Sequence, residues 1–282
     1  MPSRRPRCHS LIAPVLLWAL CAPARGEMME SKDVEDLLAA AARRDAPYRA
    51  PDGRDVVRAE ELFLGLFRGE RDGEGWRRLG FVLEDIGQGV AVREIEPQGR
   101  GLYVVRGDGG AVALEAPHHL SDRRTGTITA RLLAEQPFAA AAFSTVPRKA
   151  GDLAHEPDSY FNAFTRAFAG AFPGARVVQL HGFDGEARDV DAEMILSATL
   201  RPAPAALEGY GRCLAAAGIR VARFPDEVRV LGGTTNSNAR AFYGAGGQLF
   251  LHIEMTSELR DHLARSREAR GRFAACLLGE AR

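Results

Sequence analysis

Three short polar clusters each close an apolar, strand-like run: His118-His119-Leu-Ser-Asp122, Leu180-His181-Gly182 and His252-Ile-Glu254. An imidazole a few residues from a carboxylate, a second and distant imidazole, and a further carboxylate are the parts of a catalytic zinc site, one ion per chain with three ligands and an unligated base. Within the first cluster two pairings are open, His119 with Asp122 or His118 with Asp122, the other histidine then standing behind the ligands. Asp122 also has an ordinary reading as the cap of a following helix through Thr125. His181 ends a buried strand where the chain must become loop, and Asp184 is near enough in sequence to orient its ring by accepting the second N–H. Glu254 closes Leu249-Phe-Leu-His-Ile, a run too apolar to hold an unpaired carboxylate without a cation, a polarised water or a partner such as Arg240. There it can take a proton from an attacking water and return it to a leaving amine. His252 shares its side of the pleat and reads as a packing or supporting residue. His155 is a fallback ligand or a plain neighbour of a helix start.

The elements that must position these groups follow from periodicity. Ser31 to Arg44 and Val57 to Phe67 read as helices, joined by a loop rich in proline, glycine and aspartate. From Gly80 the period becomes that of strands, with runs at Phe81, Val90, Leu102 and Ala111, the last leading into the paired histidines. Beyond them strands at Ala139–Thr145, Ala175–Leu180, Ile219–Ala222 and Gln248–Ile253 alternate with helices at Asp158–Phe172, Pro204–Ala217 and Ser257–Leu278. Phe161, Phe164, Phe168 and Phe172 share one helical face and read as core. Such alternation predicts an α/β fold with a mixed, mainly parallel sheet covered on both faces. In such sheets ligands bind beyond the carboxyl ends of the strands, where His119, His181 and Glu254 all fall.

The chain opens with Arg4, Arg5 and Arg7, an apolar stretch from Leu11 to Leu20, and Cys-Ala-Pro-Ala-Arg-Gly, the layout of an export signal too short to span a membrane. The expected organisation is a signal peptide over 1–26, an N-terminal α+β addition over 27–110 packed on the rest, and a catalytic α/β domain over 111–282. The expected location is periplasmic or secreted. Lysine and arginine balance aspartate and glutamate at 37 each, so without the leader arginines no basic surplus remains for nucleic acid. Cys213 and Cys276, on separate predicted helices, either pair in an oxidising compartment or stand as two small buried apolar residues. There is no Gly-x-Ser-x-Gly elbow, phosphate loop or dinucleotide fingerprint, which disfavours serine hydrolases and nucleotide enzymes.

His119-x-x-Asp122, His181 after an apolar strand, and Glu254 in Ile-Glu-Met-Thr-Ser-Glu-Leu-Arg before the last helix together resemble the zinc-dependent carboxypeptidase superfamily, in its N-formylglutamate amidohydrolase-like branch. The resemblance runs from about Leu114 to the C-terminus. It implies a three-layer α/β/α sandwich, zinc held by His119, Asp122 and His181, and Glu254 as general base, with His118 and Asp184 then supporting the ligands as their spacing allows. Asp122 stands where such peptidases usually carry glutamate. The activity implied is cleavage of an amide bond next to a carboxylate; with the charge balance and the short leader, the expected enzyme acts on a small peptide or N-acyl amino acid, with no nucleic-acid partner and no stable membrane span. Members of the family hold the substrate carboxylate with arginine, whose planar fork meets two oxygens at once. Arg148 and then Arg240 are the candidates here, with Asn236 and Asn238 as possible donors and acceptors for a substrate amide or as turn residues. The competing reading is a non-catalytic extracytoplasmic binding protein that keeps the fold and an anion pocket without the metal.

Overall fold

The structure, a computed structural model, describes residues 29–279 apart from 88, 108 and 184–189. The expected signal peptide and Asp184 lie outside the described residues. One nine-stranded sheet carries the chain, in the order β1-β2-β3-β5-β4-β6-β9-β7-β8. Its strands are β1 (Phe81–Ile86), β2 (Gly89–Glu94), β3 (Leu102–Arg106), β4 (Val112–Ala116), β5 (Ala140–Phe143), β6 (Arg176–Gly182), β7 (Met194–Ser197), β8 (Val221–Arg223) and β9 (Leu249–Met255). The sheet is mixed, and its centre, β5-β4-β6-β9, is parallel throughout. β1 to β3 form an antiparallel meander that joins this centre through the β3–β5 pair, so residues 81–106 extend the sheet rather than pack upon it.

Helices cover both faces, completing the expected three-layer sandwich. One face meets α1 (Ser31–Ala41), α4 (Thr125–Glu135), α6 (Ala206–Ala216), α8 (Ser257–Arg265) and α9 (Arg267–Leu278), whose Leu38, Ile128, Leu214, Leu263 and Phe273 pack on Leu114, Leu180 and Ile253. The other meets α2 (Gly53–Phe67), α3 (Gly73–Arg78), α5 (Tyr160–Ala171) and α7 (Ser237–Gly244). There Phe63, Trp76, Phe161, Phe164 and Phe168 form an aromatic core over Ala113, Val177 and Phe250. Most of these rings meet edge to face, as at Phe63 and Phe164, whose centroids are 5.4 Å apart.

Two expectations change. The single helix expected over Ser257–Leu278 is two, because Ser266 adopts an extended backbone and its hydroxyl caps the second by accepting from Ala269 N–H. Asn236 and Asn238, whose alternative reading is as turn residues, stand at the start of a helix from Ser237, with Asn236 as its cap. Cys213 and Cys276 form a disulfide that ties α6 to α9. Among the described residues no helix is long and apolar enough to cross a membrane.

Candidate metal centre and active site

The polar groups gather at the carboxyl ends of β4, β6 and β9. On β6 and β9, His181 pairs in register with Glu254 and Gln179 with His252, so four polar side chains stand together on the face that begins, one turn of pleat earlier, with Val177 and Phe250. β4 delivers the third element. After Ala116 the chain makes one helical turn in which Ser121 and Asp122 both donate their N–H to the His118 carbonyl, each at 2.7 Å. That turn puts residues four apart on one side, and it brings His118 and Asp122 to His181.

Three ligand atoms converge. His118 Nδ1 lies 3.2 Å from His181 Nδ1, and Asp122 Oδ2 lies 3.7 Å from the former and 3.6 Å from the latter. His118, Asp122 and His181 are the group among the described residues whose ligand atoms meet closely enough to share an ion. The expectation placed His119 in this set with His118 behind it, and the structure exchanges them. Alternation along β4, with Glu115 on the site side and Ala116 in the opposite core, would bring His119 round to the site if the strand continued. The turn from Pro117 interrupts that alternation. His119 instead points against the first turn of α4, where a Cβ on Gly126 would come within 2.8 Å of its ring, and it bonds the Ser144 carbonyl at 2.7 Å. Burial lowers its pKa to about 4.

The donor chemistry suits a divalent ion. His118 Nε2 meets the Asp152 carboxylate at 2.7 Å and His181 Nε2 meets the Gln179 side-chain oxygen at 2.7 Å. Each Nε2 therefore carries the proton and each Nδ1 a lone pair. Two lone pairs facing at 3.2 Å beside a carboxylate repel one another unless a cation lies among them. Ligand atoms held tetrahedrally by zinc stand about 3.3–3.5 Å apart, close to the separations here. Burial and the neighbouring His252 keep the His181 pKa well below its ordinary value, leaving the neutral ring that a metal requires. Burial raises Asp122, while His118 and the Gly182 N–H favour its charged form. At Asp152 burial opposes ionisation, yet the hydrogen bonds from His118 and His155 outweigh it and hold the carboxyl far below its usual range. Asp152 lies in the turn before α5 and no periodic pattern marked it.

Glu254 is largely buried beside this group, with its Oε1 3.3 Å from His252 Nε2. Burial pushes its carboxyl up, but the hydrogen bond from His252 prevails and the net pKa falls below the ordinary glutamate value. Arg260, buried under Gly182, donates through Nε to the Met255 and Thr256 carbonyls and through Nη1 to the Arg123 carbonyl at 2.6 Å. It thereby staples the loop of Asp122 to the strand end of Glu254.

The expected substrate contacts divide. Arg148 is exposed at the rim and pairs through Nε with Asp152 at 3.1 Å. Arg240, also exposed, donates to the Thr235 carbonyl, and Thr235 in turn meets His155 at 3.3 Å. Asn236 and Asn238 are buried, which corrects their reading as substrate contacts: Asn238 donates to the Leu153 carbonyl and accepts from Asn162, and Asn236 caps α7 while donating to Gln179.

No family model and no curated protein matches the chain. Solved structures are similar in shape: a zinc-free apo form of YndL at 19% identity, covering 66% of this chain and 91% of that one with a TM-score of 0.44; an N-formylglutamate amidohydrolase from Ralstonia eutropha JMP134 at 15%, covering 62% and 94% with a TM-score of 0.40; and a bacteriophage poly-gamma-glutamate hydrolase at 12%, covering 62% and 84% with a TM-score of 0.38.

Proposed function

We propose that this chain is a metal-dependent hydrolase that cleaves an amide bond next to a carboxylate, in a small peptide or an N-acyl amino acid. The observation that carries the reading is the meeting of His118 Nδ1, His181 Nδ1 and Asp122 Oδ2 within 3.7 Å beside an ionised, largely buried Glu254. His118, Asp122 and His181 would hold the metal, zinc by the balance of nitrogen and oxygen donors, and when bound it supplies a Lewis acid that polarises a carbonyl and makes water a better nucleophile at neutral pH.

The chain's own residues do the rest. Glu254, held ionised by His252, takes the proton of the attacking water and later delivers it to the leaving nitrogen. Asp152 keeps the His118 ring turned so that Nδ1 faces the centre. Arg148, charged and exposed at the rim, receives the anionic end of the substrate with the guanidinium edge that Asp152 leaves open. Burial of His118, His181 and His252 and the near-burial of Glu254 lower the local dielectric, which strengthens these interactions. We further propose export to an oxidising compartment, which the arginine-led apolar leader and the Cys213–Cys276 disulfide both support.

The test is turnover by the purified full chain on a panel of N-acyl amino acids, short peptides with free carboxyl ends, and cell-wall peptides. Hydrolysis that stops with chelator and returns with zinc is expected. A zinc-loaded protein that binds these compounds without cleaving any would leave a binding module instead.

A further inference from the structure

Behind His181 runs a column of polar side chains on a face that is otherwise apolar. Glu115, Thr165 and Gln179 are fully buried, and Asn236 is 1% exposed. Its orientation can be read from one unambiguous donor. The backbone N–H of Ala239 bonds Asn236 Oδ1 at 3.1 Å, so the Asn236 amide nitrogen faces Gln179 and requires an acceptor there. Gln179 therefore presents Oε1, and its own amide nitrogen points the other way, to Glu115 Oε2 at 2.7 Å. The same Oε1 stands 2.7 Å from His181 Nε2. An amide oxygen accepts and never donates, so Nε2 must carry the hydrogen and Nδ1 must be bare. Glu115 is anchored in turn by the Thr165 hydroxyl at 2.6 Å. If Glu115 is protonated its O–H can turn to Thr165, which then donates to the Phe161 carbonyl 3.0 Å away, so the column keeps its direction in either state.

We propose that Gln179, aligned by Asn236 and Glu115, is a positioning residue that locks His181 in its Nε2–H tautomer and so assigns Nδ1 to the metal. This rests on the reading of His118, Asp122 and His181 as a metal centre. Burying a glutamate and two amides in an apolar layer is costly unless every group is paired, as these are, and a Val or Leu at 179 would need no such partners. Fixing the ring is what such a column achieves that an apolar one cannot.

Two measurements on the full chain test it. In the metal-free protein with 15N-labelled histidine, long-range nitrogen–proton spectra should show His181 as the Nε2–H tautomer. An Nδ1–H tautomer there would overturn the proposal. Zinc affinity, measured by competition with a chromophoric chelator, should weaken roughly 10–100-fold in Gln179→Met, which keeps length and removes the acceptor. Gln179→Glu, which restores an acceptor facing His181 and can share a proton with Glu115 where the amide donated, should recover both tautomer and affinity. Gln179→Met binding zinc as tightly as the parent would refute the column's role. Should that variant not fold, the parent spectrum and the Gln179→Glu affinity decide between these outcomes. A parent chain that shows the Nε2–H tautomer yet binds no zinc would sink the metal centre while leaving the column standing, so the two failures are distinct.

Discussion

The two faces of β4, β6 and β9 differ sharply in what they bury. Toward α4 and α8 the strands present Leu114, Val178, Leu180, Leu251, Ile253 and Met255, all buried and apolar. Toward α5 and α7 the alternate positions begin apolar, with Ala113, Val177 and Phe250, and then become Glu115, Gln179, His181, His252 and Glu254. One set of backbone ladders serves both, because alternation along a strand sends neighbours to opposite sides. A dry core and a titratable site thus sit a single residue apart, and the polar side is tolerated because its groups find partners. His252 Nδ1 is an exception, buried with no partner.

Substitutions on either side should separate cleanly. The largest effect is expected at Glu254→Gln, where turnover should fall by about 10²–10⁴ while zinc content and melting temperature hold, because the variant keeps shape and loses only the proton acceptor. Unchanged turnover would remove Glu254 from the mechanism. Next, Leu180→Ala, one position from His181 but in the opposite core, should lower unfolding free energy by about 2–5 kcal/mol in denaturant titrations and leave zinc affinity intact. A parallel loss of zinc affinity would show that the faces are not independent.

The pH dependence of stability should have opposite signs on the two sides. Burial raises the Glu115 pKa to about 7, above its unfolded value of about 4.5, so its contribution is complete below about 4.5 and is lost as pH rises through 7. The loss amounts to about 3 kcal/mol, and Glu115→Gln should abolish it in denaturant midpoints measured across that range. His119, lowered to about 4 from about 6.5, contributes stability above 6.5 that disappears as pH falls toward 4. Its effect should be smaller, since the ring is partly exposed, and His119→Gln should flatten the acid limb. A parent whose midpoint does not move in either window would contradict both assignments.

Much of this was legible before folding, for physical reasons. His181 and Glu254 stand where apolar runs stop, and an apolar run ending in a charged residue marks a strand end that faces a cleft. Gln179 is a lone polar residue inside the expected strand Ala175–Leu180 and Glu115 stands just after the run from Ala111, but their meaning depends on β4 lying beside β6, and no local pattern encodes strand order. The choice between His118 and His119 turned on one helical turn after Pro117, which reverses the direction that simple alternation gives. Asp152 lies in a polar turn where any side chain is plausible, and Asn236 stands out only as a substrate contact or turn residue; their buried partners give both their roles. The meander of β1 to β3 joined the central sheet through a long-range antiparallel pair, which periodicity within residues 27–110 could not reveal.

The proposed metal centre requires that His118, Asp122 and His181 share one ion, with His119 outside. Elemental analysis of the purified chain beside its His118→Ala and His119→Ala variants tests this directly, each dialysed against the same zinc buffer. One zinc per parent chain, none in His118→Ala and a full complement in His119→Ala is the expected result. Zinc retained without His118, or lost without His119, would contradict it.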